Sequence, residues 1–224
     1  MNIRHVCALI LLIYFASAAA ESGIPRIHID EKRMEVVGSA PPDPPSKVIL
    51  DDACPFEGCG LGTWKTFRDV RIYEEPNEQA RKLGYISAGT CVEAKRGEVH
   101  TVSPGHFTFG GDAPGGLCGN EEPGSVHPVF AYIGEGYYVS WSDGEWQILV
   151  VGYVPKERGD GWEKNVCGTF EPTPTNIWWV FVELDDKTRG WTKEADSFTG
   201  TSFLSLDDPD YNKDCSVRRY PNES

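Results

Sequence analysis

Apolar and polar residues alternate along most of this chain in short runs, and turn formers separate the runs. Val70, Ile72 and Tyr73 mark one strand, and Leu83 to Ile86 a second. Cys91 to Lys95 alternates, with Val92 and Ala94 on one face. Period two broken by Gly, Pro and Asp predicts short strands at the spacing of an all-β barrel or sandwich. An amphipathic helix is hard to place: Glu75 to Lys82 offers one or two turns at most.

The middle of the chain carries a hairpin signal. Tyr137-Tyr138-Val139-Ser140-Trp141 runs into Asp143-Gly144 and then Trp146-Gln147-Ile148-Leu149-Val150. Asp-Gly suits a two-residue type I′ turn, whose two central residues need positive φ. That register pairs Ser142 with Glu145, Trp141 with Trp146, Val139 with Ile148 and Tyr137 with Val150. The last three pairs share one face, which the pattern assigns to the core. A cross-strand Trp pair adds about 0.5–1.5 kcal/mol beyond burial.

The last strong strand signal is Ile177 to Leu184. Trp178, Val180, Val182 and Leu184 form an unbroken apolar face, which should be core. Ile177, Trp179, Phe181 and Glu183 form the opposite face, expected to meet water or a partner. Asp185-Asp186-Lys187 then turns the chain, and Gly190-Trp191 begins the return.

The ends read differently. Arg4 and His5 precede an apolar run from Val6 to Phe15, and Ala18 and Ala20 give a small-x-small pattern. Residues 1–20 are therefore expected to be a signal peptide cut before Glu21. The run is too short to span a bilayer, and Cys7 lies upstream of the small residues, which argues against a lipid anchor. Residues 21–53 contain Pro41-Pro42-Asp43-Pro44-Pro45 and read as a stiff Pro-rich linker. Residues 205–224 read as an acidic C-terminal tail. Asn222-Glu223-Ser224 matches a glycosylation acceptor at the very terminus.

Charge and cysteine content narrow the class. Thirty-four acidic residues against 21 basic ones give a net charge of −13. Such a field repels nucleic acid and anionic lipid. Beyond the leader lie Cys54, Cys59, Cys91, Cys118, Cys167 and Cys215, an even number that an export signal turns into disulfide candidates. Cys54 and Cys59 suit a small loop, and Cys215 would pin the tail. Zinc is a poor alternative, because no second cysteine pair has ligand spacing. The expected location is secreted or periplasmic.

Two segments carry a resemblance. The first runs Asp69-Val70-Arg71-Ile72-Tyr73-Glu74-Glu75-Pro76, then Leu83-Gly84-Tyr85-Ile86, then Gly89-Thr90-Cys91-Val92-Glu93. It resembles the opening of bacterial SH3-like domains: a strand, a Pro-containing loop, a Gly-containing strand and a Gly-Thr turn. The second, Trp179 to Trp191, resembles the close of that family, with an aromatic strand, an acidic turn and a returning Gly-Trp. The resemblance implies a small SH3-like barrel over residues 54–204, discontinuous at about 64–98 and 176–200. The hairpin-containing stretch 99–175 is then an insertion; two incomplete barrels packed together are the alternative. It also implies a non-catalytic module that recognises a cell-envelope ligand, either peptidoglycan, another glycan or a protein. The ligand-binding candidates are the aromatics expected outside the core, Tyr73, Trp179 and Phe181, which would stack on glycan rings or a proline-rich peptide.

Catalytic sets are weak. Asp214-Cys215-Ser216 looks like the nucleophile motif of cell-wall cysteine peptidases, but no His follows it, and an activated thiol needs a base within reach. His100, His106 and His127 are the alternative metal set, without the spacing that would make it strong. Gly-x-Ser-x-Gly and Walker-type loops are absent. Glu135 and Asp143 flank the hairpin as carboxylates available for acid–base work. A secreted hydrolase or inhibitor with its site in the insertion is the second expectation. No cofactor is implied.

Overall fold

Every regular element of length in the computed structural model is a strand; it describes residues 23–110, 121–151, 153–155, 162–164, 167–202 and 215. Residues 1–20, expected to be a signal peptide, Cys118 and residues 205–224 other than Cys215 lie outside the described residues. No helix among the described residues is long and apolar enough to cross a membrane. Residues 75–81, read as a helical turn or two at most, form a turn-rich loop with no helix.

A ten-stranded sheet carries both segments of the resemblance. Its strands are β1 (Arg26–Asp30), β2 (Glu35–Val37), β3 (Ile49–Asp51), β4 (Gly62–Thr66), β5 (Val70–Tyr73), β6 (Lys82–Ile86) and the long β7 (Cys91–Ser103). After the insertion come β15 (Thr175–Glu183), β16 (Arg189–Thr192) and β17 (Phe198–Thr199). The order is β2-β1-β3-β7-β15-β16-β5-β6, with β4 pairing both β7 and β17. The two segments therefore meet in one sheet, where Trp191 of β16 pairs with Tyr73 of β5. Gly190 makes that approach feasible: a Cβ there would lie 2.8 Å from the Tyr73 carbonyl oxygen. Among the described residues the ladder stays open at β6, so what stands is an all-β fold with a curled sheet rather than a closed barrel.

Residues 23–53, read as part of a linker, carry strands of the large sheet. β1 pairs parallel with β3, and β3 pairs with β7, placing Ile49 opposite His100 and Leu50 opposite Val99. Ile27, Val48 and Leu50 are fully buried in the main core. The proline run itself is fastened, since the indole N–H of Trp141 donates to the Pro41 carbonyl at 3.0 Å and that of Trp146 to Ser39 at 3.2 Å.

The intervening stretch forms its own sheet. Its strands are β8 (Gly105–Phe109), β9 (Val126–Gly134), β10 (Tyr137–Ser142), β11 (Glu145–Val150) and β14 (Gly168–Phe170), in the order β11-β10-β9-β8-β14. A short ladder of β12 (Tyr153–Pro155) and β13 (Trp162–Lys164) stands apart from it. The β10–β11 register is the expected one, from Tyr137 opposite Val150 to Ser142 opposite Glu145. Asp143 and Gly144 take φ of 52° and 83°, as a type I′ turn requires. Phe107, Phe109, Val129, Leu149 and Val151 form a local core here. Phe130, Ala131 and Val139 join the main core instead, together with Trp64, Trp178, Val180 and Val182. The five-stranded sheet thus packs against the inner face of the β7–β15 ladder.

Two disulfides hold the periphery. Cys54 bonds Cys59 across five residues, and Cys91 bonds Cys215 across 124, so the C-terminal segment is pinned to the start of β7. Cys167 is disulfide-bonded as well.

Candidate functional site

The alternation of β15 separates two aromatic faces as expected, yet both are covered. Trp178, Val180 and Val182 face the main core. On the other side Trp179 is 2% exposed and Tyr73 3%, with Trp191 beside them in a second, small core. This corrects the expectation that Tyr73 and Trp179 offer open stacking surfaces. Phe181 is only partly buried, but Arg96 lies over its ring. Local periodicity assigns a face; it does not say what covers it. Ala80, from the loop after β5, and Ile177 pack against this one, and the His100 ring lies beside Trp179.

The register of β7 against β15 sets polar side chains over these rings. Arg96 pairs with Phe181, Glu98 with Trp179 and His100 with Ile177. Period two puts Arg96, Glu98 and His100 on one face of β7. A groove of about 720 Å³ opens there, with Trp179 and Trp191 at its floor, Arg96, Glu98 and His100 on one wall, and the loop Glu75–Gln79 on another.

Glu98 is the buried charge of the site, its side chain 7% exposed. It accepts hydrogen bonds from Arg26 at 2.7 Å and from His100 Nε2 at 2.9 Å. Arg26 also forks onto Asp51. Burial alone would push the Glu98 carboxyl up, but the bonds and charges of His100 and Arg26 outweigh it and hold the pKa below the ordinary glutamate value. Glu98 is therefore an ionised structural acceptor at neutral pH. A general acid needs the opposite shift.

Arg96 and Lys47 both line the groove as cations, and of the two Arg96 is the one held over aromatic rings. Its guanidinium lies 4.9 Å from the Trp191 ring centroid and 5.4 Å from that of Phe181. No carboxylate pairs with it among the described residues. A guanidinium oriented by two rings keeps its N–H fork available for a planar anion.

The histidines do not converge. His100 stands in this groove, with its ring 6.4 Å from that of Trp179. His127, buried in β9, pairs with Glu121 at 3.1 Å and packs edge-on to Phe109. His106 is exposed on β8. No three His, Cys, Asp or Glu residues gather with metal-binding geometry among the described residues, which removes the metal version of the second expectation. Glu135 and Asp143 both sit at turns with positive φ, in the β9–β10 and β10–β11 connections. No protein-family model matches this chain, and no curated protein and no solved structure matches it.

Sequence reasoning missed Arg96, Glu98 and Arg26. The first two had a signal: Arg96-Gly97-Glu98-Val99-His100 alternates polar and non-polar within one strand. Arg26 had none, because it reaches Glu98 across 72 residues of chain.

Proposed function

We propose that this chain is an exported, non-catalytic binding module on an SH3-like scaffold, and that the groove beside Arg96 holds its ligand. The scaffold reading is supported by strand connectivity. Within residues 62–199 the first strand, β4, pairs with the last, β17. Along one edge β7 pairs first with β4 and then with β3, and along the other with β15. A small barrel brings its ends together in this way. Export is supported by the leader pattern and by the disulfides, which persist in oxidising compartments.

The observation that carries the functional reading is the ring-stacked, unpaired Arg96 at the groove. It selects for a carboxylate-bearing ligand, and among cell-envelope ligands it favours peptidoglycan, whose stem peptides carry carboxylates. The stacking role first assigned to Tyr73, Trp179 and Phe181 becomes support: Phe181 orients the guanidinium, Trp179 floors the groove and Tyr73 packs against Trp179.

Retention of the purified protein on isolated cell-wall sacculi tests this. Wild type is retained, and Arg96→Ala loses most of that retention while keeping its thermal unfolding profile. Equal retention of both proteins refutes the groove. No retention of wild type refutes wall binding.

A further inference from the structure

A second groove, of about 920 Å³, lies between the β1–β2 turn, the Cys54–Cys59 loop and the β9–β10 turn. We propose that it docks a basic, apolar-bearing peptide segment of a partner protein. This does not rest on the ligand assigned to the Arg96 groove.

Three features point to that partner. The first is apolar surface left in water: Met34 is 46% exposed, Phe56 39% and Leu61 42%, all lining one groove. Clustered exposed apolar side chains inside a concavity mark interaction sites, whereas scattered ones do not.

The second is charge. Glu31, Asp51, Asp52, Glu57 and Glu135 line the same groove, and no Lys or Arg does. Only Asp51 has a cationic partner among the described residues, Arg26. The apolar cluster is therefore rimmed by uncompensated negative charge. This complements lysine and arginine and repels a second copy of this chain, whose net charge is −13. A bare divalent ion is not the occupant, since these carboxylates do not gather into a metal-binding group.

The third is rigidity. The disulfide closes the loop that presents Phe56 and Glu57. Phe56 packs edge-on to Trp178 with centroids 5.6 Å apart. Glu57 accepts from the Tyr132 hydroxyl and from the Glu135 backbone N–H, the latter at 3.1 Å, which ties the loop to the turn across the groove. A wall already ordered loses little freedom on binding.

Fluorescence anisotropy on the full mature chain tests the proposal. The probe is a labelled peptide of alternating lysine and leucine. Two sister peptides replace its lysines by glutamate or its leucines by serine. The Lys/Leu peptide is expected to bind and to weaken about fivefold as salt rises from about 50 to about 300 mM, as rim electrostatics require. The glutamate peptide should show no binding, and the serine peptide a loss of about tenfold. Leu61→Ser should cost about fivefold, and Glu31→Gln with Glu135→Gln a few-fold together with much of the salt dependence. Leu61, Glu31 and Glu135 are exposed, so these variants keep the wild-type unfolding transition. Equal binding of all three peptides, no binding of the Lys/Leu peptide at millimolar concentration, or unchanged affinity in the folded variants overturns it.

Discussion

The two faces of the β7–β15 ladder bury tryptophans by different means. On the inner face Trp178 lies among Trp64, Phe56, Val180 and Val182, and its indole N–H donates to the Ala53 carbonyl at 3.0 Å. On the outer face Trp179 lies against Tyr73, with Glu98, His100 and Arg26 around it. The first face is closed by hydrocarbon and shape. The second is closed partly by ionised groups that remain in contact with a groove. Equal burial therefore implies unequal sensitivity: one face responds to volume, the other to charge and pH.

The largest expected effect comes from the inner face. Trp178→Ala removes a ring that three elements share and one that fastens the N-terminal segment. It should destabilise the fold by about 3–5 kcal/mol in denaturant titration. The loss should be the same at pH 4 and pH 7, because the ring packs on Phe56 and Trp64 and its N–H meets a backbone carbonyl. A loss that changes with pH would erase the contrast between the faces.

Glu98→Gln probes the outer face and should cost about 1–3 kcal/mol at pH 7, since it strips charge from a buried acceptor while Arg26 and His100 stay in place. The pH dependence has a definite sign. The Glu98 pKa is lowered on folding, so its contribution is fully present above the unfolded value, near 4.5, and is lost as pH falls through the folded value. Wild type should thus lose stability below about pH 4.5 more steeply than Glu98→Gln, and the two curves should converge in acid. Parallel curves would mean that the carboxylate does not hold this face.

The contrast also explains what could be read along the chain. The hairpin was legible to the residue, because Asp143-Gly144 fixes the turn and the turn fixes every pair from Ser142–Glu145 outward. The inner face of β15 was legible because alternation is a local property. The N-terminal strands were not: β3 has three residues, and its partner, β7, lies about fifty residues away along the chain. Burial of the outer face was illegible for the same reason, since its cover is assembled from Ala80, Arg26 and His100, which no local window contains. Half of the candidate groove was nevertheless visible as polar residues at period two in Arg96, Glu98 and His100. Nothing local showed that these sit over rings.

The smallest stability effect belongs to Arg96→Ala, and it separates the outer face from its groove. Arg96 is exposed and lies on rings that are already packed against each other, Phe181 and Trp191 having centroids 5.4 Å apart. Removing an exposed cation–π contact costs about 0.5–1 kcal/mol. The fold should therefore unfold at nearly the wild-type denaturant concentration, while tryptophan emission shifts to the red as water reaches Trp191, itself 4% exposed. Ligand retention should fall far more than stability does, because the lost N–H fork is the group left free to meet an anion. A stability loss of about 3 kcal/mol would instead class Arg96 with Trp178 as part of the fold's closure. The outer face would then be a core with a charged lid rather than a surface held open for a ligand.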